Sequence, residues 1–565
     1  MNQPSPAIVT QSAARPLPRW ALLLLCLAYV LPGFLGRAPW RHADLAAFGY
    51  MRTLAQGGDW LAPSMVGLQP TGDGLLPLWL GAAALRWAPA ALPPELAARL
   101  PFVFLLILTL LATWYAVYYL ARSPGAQPVA FAFGGEALPQ DYARSIADAG
   151  LLALLACLGL AQLGHEITSY LTQLACTALV FFAAAIFPHH PRRGSAAMLL
   201  GLPALTLSGA PTVALLLGLG AAALLRYAPL TAHDRSSRWA LAWLATSAAC
   251  ALLASALDLW VWRIEAPHAL WPYAQTIARM LIWFGWPAWP LALWTLWRWR
   301  RQIWSRRGHR HLWLPLGLAS VMLAVCLCTE PADRALLLGL PALSALAAFA
   351  LPTLQRSLAA LIDWFTLLFF SASAIAIWVV WLSLQTGFPA QPAANVARLA
   401  PGFEPHFSAL PFALALAASA AWCALVYWRA ARQRHALWKS LVLPASGTTL
   451  AWLLLLTLWL PLLDYARSYA PQVQRIVTTL GSAPGCVLVQ DLGDSQVAAL
   501  QFHGGLDLRP VASAAANDCH WLAVASTSTD LPPSFTPPPG QWLLYAAIGR
   551  PTSRQERIVL LHRVD

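Results

Sequence analysis

From Trp20 to Leu463 the sequence returns repeatedly to stretches of 17 to 25 mostly apolar residues. As a helix, each is long enough to cross about 30 Å of hydrocarbon. Lipid offers no partner to a bare peptide group, so segments of this kind must satisfy their hydrogen bonds internally as helices. Charged residues make up only 10% of the chain and apolar residues 59%, against about 25% charged in soluble domains. The sequence therefore predicts an α-helical polytopic membrane protein. Spans are expected near 20–36, 100–121, 149–163, 169–187, 196–208, 211–225, 240–262, 280–297, 312–328, 335–351, 358–385, 408–428 and 440–463. That gives about 13 transmembrane helices.

The net charge of +13 does not point to nucleic acid, because Lys439 is the only lysine and the arginines cluster between spans. With residues 1–19 in the cytoplasm, the alternate loops on that side hold 20 of the 36 basic residues. Such a bias sets orientation. It predicts a multi-pass protein with the outer loop 37–99 and residues 464–565 on the outer face of the membrane. The N-terminal apolar run follows Arg15 and Arg19 without a small-residue cleavage site, and reads as an uncleaved signal anchor. The run from Leu75 to Ala88 is short and punctuated by Pro77 and Pro89, and is read as a juxtamembrane or re-entrant helix, since counting it as a span would put the basic clusters on the wrong side.

Within the outer loop, Asp44 to Leu54 places apolar residues at 45, 48, 51 and 54, the spacing of a helix lying along a membrane surface. After Asp464 the apolar runs shorten. A helix over 471–480, strands over 486–490, 521–525, 542–547 and 558–562, and a crossover helix over 494–502 predict a small α/β domain. The proline-rich stretch 532–540 is expected to be loop. Cys486 and Cys519 are the only cysteines in this domain, and an exported compartment would let them pair.

A membrane enzyme needs polar groups where lipid and water meet. Asp44 follows the first span and opens a surface helix, where it can cap the helix or accept a proton from an incoming hydroxyl. Glu166 lies in the short outer loop Gly164-His165-Glu166-Ile167-Thr168, with His165 beside it as a wetted interfacial residue. Asp59 serves its turn, and Asp73 stands among glycines as a further acid. Asp258 and Asp363 fall inside expected spans, where an ionisable group is costly and therefore a functional suspect; Asp363 lies near the inner boundary and can snorkel. No His, Cys and carboxylate spacing specifies a metal site.

The order of motifs Trp40-Arg41-His42-Ala43-Asp44, Gly57-Gly58-Asp59-Trp60-Leu61-Ala62-Pro63, Gly67-Leu68, Leu78-Trp79-Leu80 and Ala98-Arg99-Leu100-Pro101 resembles bacterial GT-C glycosyltransferases. The lipid A aminoarabinose transferase and protein O-mannosyltransferase superfamily is the nearest branch. The resemblance implies transfer of a sugar, with inversion, from a polyprenyl-phosphate-linked donor to a lipid, glycan or protein acceptor at the periplasmic face, with no metal required. It places Asp44 in the position of the family's catalytic acid and Glu166 nearest the second acid. Relatives carry lysines where this chain has Gly72-Asp73-Gly74-Leu75 and Ser208-Gly209, so a phosphate clamp here must use arginine. Arg41, Arg52, Arg279 and Arg334 are the outer-face candidates. Trp271, Tyr273 and the loop 385–407 are expected to cover the site. An inactive glycolipid-binding relative, which the missing lysines favour, and a lipid-linked sugar transporter are the competing readings.

Overall fold

The computed structural model describes residues 5–564 apart from 41–42, 71, 73, 228–232, 261–269, 306–308, 330–331, 432–435, 482–484, 513–517, 529–530, 532–534 and 554. It is mostly helical with one five-stranded sheet, and it divides into two compact units. Met1–Phe34, Phe102–Ile375 and Ala413–Leu454 form the first; Leu35–Pro101, Ala376–Phe412 and Leu455–Asp565 form the second.

Among the described residues, eight helices are long and apolar enough to cross a membrane: Pro94–Ala121, Ser169–Ile186, Arg238–Ala256, Arg310–Leu327, Arg334–Thr353, Arg356–Thr386, Ala409–Arg429 and Lys439–Leu458. Several of the 13 expected spans are shorter or broken. The first is the 12-residue helix Arg19–Val30, 149–163 is interrupted at Cys157 between Pro139–Ala156 and Leu158–Leu163, and 280–297 is divided between Leu270–Phe284 and Ala288–Arg298. The run 440–463 likewise breaks between Lys439–Leu458 and Leu460–Arg467. Hydropathy registers an apolar run but not the break within it.

In the first unit, helix Ala332–Ala350 is the centre of packing, against Pro139–Ala156, Ser169–Ile186, Ala288–Arg298 and Arg310–Leu327. Its sequence explains this, because Ala335, Gly339, Ala342, Ser344, Ala345 and Ala348 let neighbouring backbones approach closely. A Cβ at Gly339 would already meet the Met322 Cβ at 3.2 Å. The same helix also buries Leu337, Leu338, Leu340, Leu346 and Phe349, so small and bulky residues alternate in its contacts.

In the second unit the helix expected to lie on a membrane surface is instead enclosed. Ala43–Ala55 buries Leu45, Phe48, Met51 and Leu54, as the periodicity predicts, but also Ala47, Gly49 and Tyr50. One side packs on Leu75–Trp87 and another on Asp494–Gly504 of the C-terminal domain. Phe48 meets Phe502 edge-on at 4.8 Å, and Arg52 donates to the Gln501 carbonyl at 3.3 Å. The sequence spacing marks one apolar stripe, whereas two neighbours use two faces.

The C-terminal sheet has strands β1 (Cys486–Gln490), β2 (Asp507–Pro510), β3 (Trp521–Ser526), β4 (Trp542–Gly549) and β5 (Arg557–Arg563), in the order β2-β1-β3-β5-β4. β1 pairs in parallel with β2 and β3, Val487 standing opposite Leu508 and Trp521. The crossover from β1 to β2 is the helix Asp494–Gly504, while β5 runs antiparallel to both β3 and β4. β2 escapes sequence analysis because four residues ending in proline carry no strand signature. Cys486 and Cys519 are joined, with Cα atoms 5.0 Å apart, among Leu488, Leu522, Val524, Val559 and Leu561.

A Cβ at Gly49 would lie 2.6 Å from the Ala498 Cβ, which is fixed to its own helix backbone. Gly49→Ala should therefore destabilise the protein by roughly 1–3 kcal/mol through overpacking. Gly220→Ala, where a Cβ meets nothing within 4 Å, should not. Thermal unfolding midpoints of the two variants in detergent test this, and equal midpoints would remove Gly49 from the packing account.

Candidate functional site

The second unit gathers charge around the segment that leaves Gly36. Asp44, in the first turn of helix Ala43–Ala55, accepts the Trp40 backbone N–H at 3.0 Å, and the Trp40 carbonyl accepts the Leu45 N–H. The same carboxylate oxygen lies 3.2 Å from an Arg37 guanidinium nitrogen. Both side chains are at most 2% exposed. Asp44 thus ties the segment before its helix to a buried ion pair.

Two further arginines and a second acid complete the cluster. Arg99, 2% exposed, donates through Nη1 to the Arg37 carbonyl, while its Nε and Nη2 find no acceptor among the described residues. The Trp40 indole N–H donates to Asp464 at 2.7 Å, and the Ala38 N–H reaches the other oxygen of that carboxylate at 3.3 Å. The guanidinium carbons of Arg37 and Arg467 lie 4.4 and 4.7 Å from the Trp40 ring centroid. This is a close cation–π arrangement. Burial raises the Asp464 carboxyl to about 6, despite the lowering effect of the Trp40 and Ala38 hydrogen bonds and of Arg37 and Arg99. Three guanidinium groups against two carboxylates, with unfilled donors on Arg99, suit a phosphate, since guanidinium presents paired donors to its oxygens. The described residues contain no group of three potential metal ligands.

The sequence-stated candidates are dispersed. Arg41 and Asp73 lie outside the described residues. Arg52 stacks 5.7 Å from the Phe502 ring and serves the C-terminal helix rather than the Arg37 cluster. Asp258 is not inside a span: its helix ends at Ala256, leaving it exposed in a turn with φ +50°. Arg279 is exposed on helix Leu270–Phe284. Arg334 donates to the Tyr170 hydroxyl at 2.6 Å and covers its ring at 4.1 Å. Trp271 and Tyr273 belong to that helix and not to a loop, Tyr273 donating to the Thr329 carbonyl at 3.1 Å. Residues 385–407 contain the helix Ala390–Leu399.

Glu166 of the first unit is half-buried and accepts from the Gln162 amide at 3.3 Å. His165 differs from the expectation of a wetted ring. It is fully buried among Tyr29, Phe34 and Trp452, its two nitrogens facing the carbonyls of Ala161 and Tyr29 at 2.5 and 3.1 Å. Asp363 pairs with Arg429, and Asp59 accepts the Leu61 N–H at 2.9 Å, as its turn requires.

Sequence reasoning passed over Arg37, Arg99, Asp464 and Arg467. Each had a visible signal, being a charge at the edge of an apolar run, yet their convergence depends on parts of the chain more than 350 residues apart.

The fold, with eight helices among the described residues long and apolar enough to cross a membrane and a small C-terminal sheet, has counterparts among solved structures. In particular it is similar to two crystal structures of ArnT from Cupriavidus metallidurans, one in the apo state and one bound to undecaprenyl phosphate. The TM-scores are 0.60 and 0.58 and the identities 15% and 16%, each alignment covering 96% of this chain and 97% of that one. No protein-family model and no curated protein sequence matches the chain.

Two outcomes follow. Asp44→Asn leaves Arg37 buried without its counter-ion and should cost about 3–5 kcal/mol of stability, so this change perturbs the fold as well as any activity. Between about pH 4 and pH 6 the folded protein keeps the Asp464 proton that an unfolded chain releases. Its contribution to stability is therefore present at about pH 4 and declines as pH rises to about 6. Asp464→Asn should flatten that part of the profile of unfolding midpoint against pH, and an unaltered slope would contradict the assignment.

Proposed function

We propose that the protein is a GT-C-type transferase moving a sugar from a polyprenyl-phosphate-linked donor to a lipid, glycan or protein acceptor. The observation that carries this reading is a shared fold running along 96% of the chain, membrane helices and C-terminal sheet together. The Arg37, Arg99 and Arg467 cluster supports it, as a set of cations suited to the donor phosphate and formed without lysine. On the positive-inside distribution, the N-terminus faces the cytoplasm and the C-terminal domain the periplasm of a bacterial inner membrane.

In the proposed reaction an acceptor hydroxyl oxygen bonds to the anomeric carbon as the bond from that carbon to phosphate oxygen breaks. The electron pair leaves with the polyprenyl phosphate, and configuration inverts. Guanidinium groups offset the charge gathering on the departing phosphate, a term that needs no metal. The hydroxyl proton passes to a carboxylate. Asp44 and Glu166 are the two carboxylates proposed for this step. Asp73 and Asp258 are secondary choices.

One observation favours a second reading, a GT-C scaffold that binds glycolipid without transfer: the acid in the family's catalytic position is sealed against Arg37. Undecaprenyl phosphate added to the protein in nanodiscs, followed by native mass spectrometry, tests the binding step. Wild type should retain the lipid, and Arg467→Gln or Arg99→Gln, each checked for an unchanged unfolding midpoint, should bind about tenfold more weakly. Equal binding by folded variants would detach the cluster from the donor. Glu166→Gln should keep lipid binding and lose consumption of lipid-linked sugar in membranes. A wild type that binds and never consumes would move the scaffold reading ahead.

A further inference from the structure

The first unit holds a second basic site with a different character. A groove of about 810 Å³ lies between the N-terminal turns of helix Arg356–Thr386, the C-terminal turns of Ala409–Ala431 and the start of Lys439–Leu458. Arg356, Arg429 and Lys439 line it, with Asp363 as the one carboxylate, and Leu367 and Leu443 contribute to its apolar wall. Asp363 is paired with Arg429, so the lining keeps an excess of positive charge.

Lys439 adds a buried cation to that lining. It is the chain's single lysine, it is 4% exposed, and it is the first residue of its helix. The start of a helix is already the positive end of its dipole, where anions are stabilised and cations are not. Its ammonium lies 5.5 Å from the Trp428 ring, which is stacked in turn on Trp438. Arg356 stands exposed at the rim, close in sequence to Trp364, which is 63% exposed. Tryptophan is enriched at the boundary between hydrocarbon and headgroups.

Basic groups above an apolar wall, with an aromatic at the rim, match one molecule with an anionic head and hydrocarbon tails. We infer that this groove binds an anionic phospholipid, its phosphodiester between Arg356, Arg429 and Lys439 and an acyl chain along Leu367 and Leu443. The segment between Arg429 and Lys439 is one of the basic stretches that the charge distribution assigns to the cytoplasmic side. The leaflet there carries negative lipids, and basic pockets between helices hold their headgroups. The site shares no residue with the Arg37 cluster and does not depend on sugar transfer.

The test uses the full chain in neutral detergent. Phosphatidylglycerol, phosphatidylcholine or inorganic phosphate is added, and bound lipid is counted by native mass spectrometry. Phosphatidylglycerol should bind in preference to phosphatidylcholine, survive excess phosphate, and bind about fivefold more weakly to Arg356→Gln, while Arg356→Lys restores most of the difference. Arg356 is exposed, so its replacement leaves the fold intact, and Lys439→Gln supplies a second variant, scored only if its unfolding midpoint is retained. Equal binding of the two lipids, or wild-type binding by Arg356→Gln, would overturn the inference. Displacement of phosphatidylglycerol by phosphate alone would also overturn it, by assigning the groove to a free anion.

Discussion

An ion pair taken out of water, Arg37 with Asp44, fixes the way the chain leaves its first apolar segment. Either charge alone in that position would cost several kcal/mol, so the pair forms only if its surroundings supply the remaining hydrogen bonds. They do. The Trp40 N–H reaches Asp44, the Arg37 carbonyl accepts from Arg99, and Asp464 holds the Trp40 indole. One buried pair thereby recruits the start of helix Ala43–Ala55, the Pro94–Ala121 helix and Leu460–Arg467. The same arrangement leaves three guanidinium groups facing two carboxylates, which couples the stability of this region to its suitability for an anion.

The helix Ala43–Ala55 extends that order into the C-terminal domain. Gly49 permits contact with Ala498 and Phe48 packs on Phe502, so the sheet is attached through a glycine and an aromatic rather than through a broad apolar interface. Within the first unit the equivalent economy is the small-residue helix Ala332–Ala350. In both units small residues let backbones approach closely beside buried aromatic and leucine side chains.

Much of the architecture was legible in sequence. The helices and most of the C-terminal strands follow from apolar length and period, and the Cys486 and Cys519 positions could be singled out because no other cysteine lies in that domain. Less of the site was legible. Asp44 was conspicuous because it starts a surface-like helix, but its enclosure by Arg37 was not, since two charges seven residues apart give no sign of their shared burial. His165 failed for a related reason: a loop position suggested water, while Tyr29, Phe34 and Trp452 arrive from distant parts of the chain to exclude it.

The sequence by itself determined which segments are apolar and long enough to form helices that could cross lipid, and where the mixed helix-and-strand pattern of the C-terminal domain begins. Tertiary structure alone decided which charges share a site. Arg37, Arg99, Asp464 and Arg467 come together only when segments hundreds of residues apart pack. Electrostatic attraction depends on distance and burial in space, and neither is encoded in spacing along the chain.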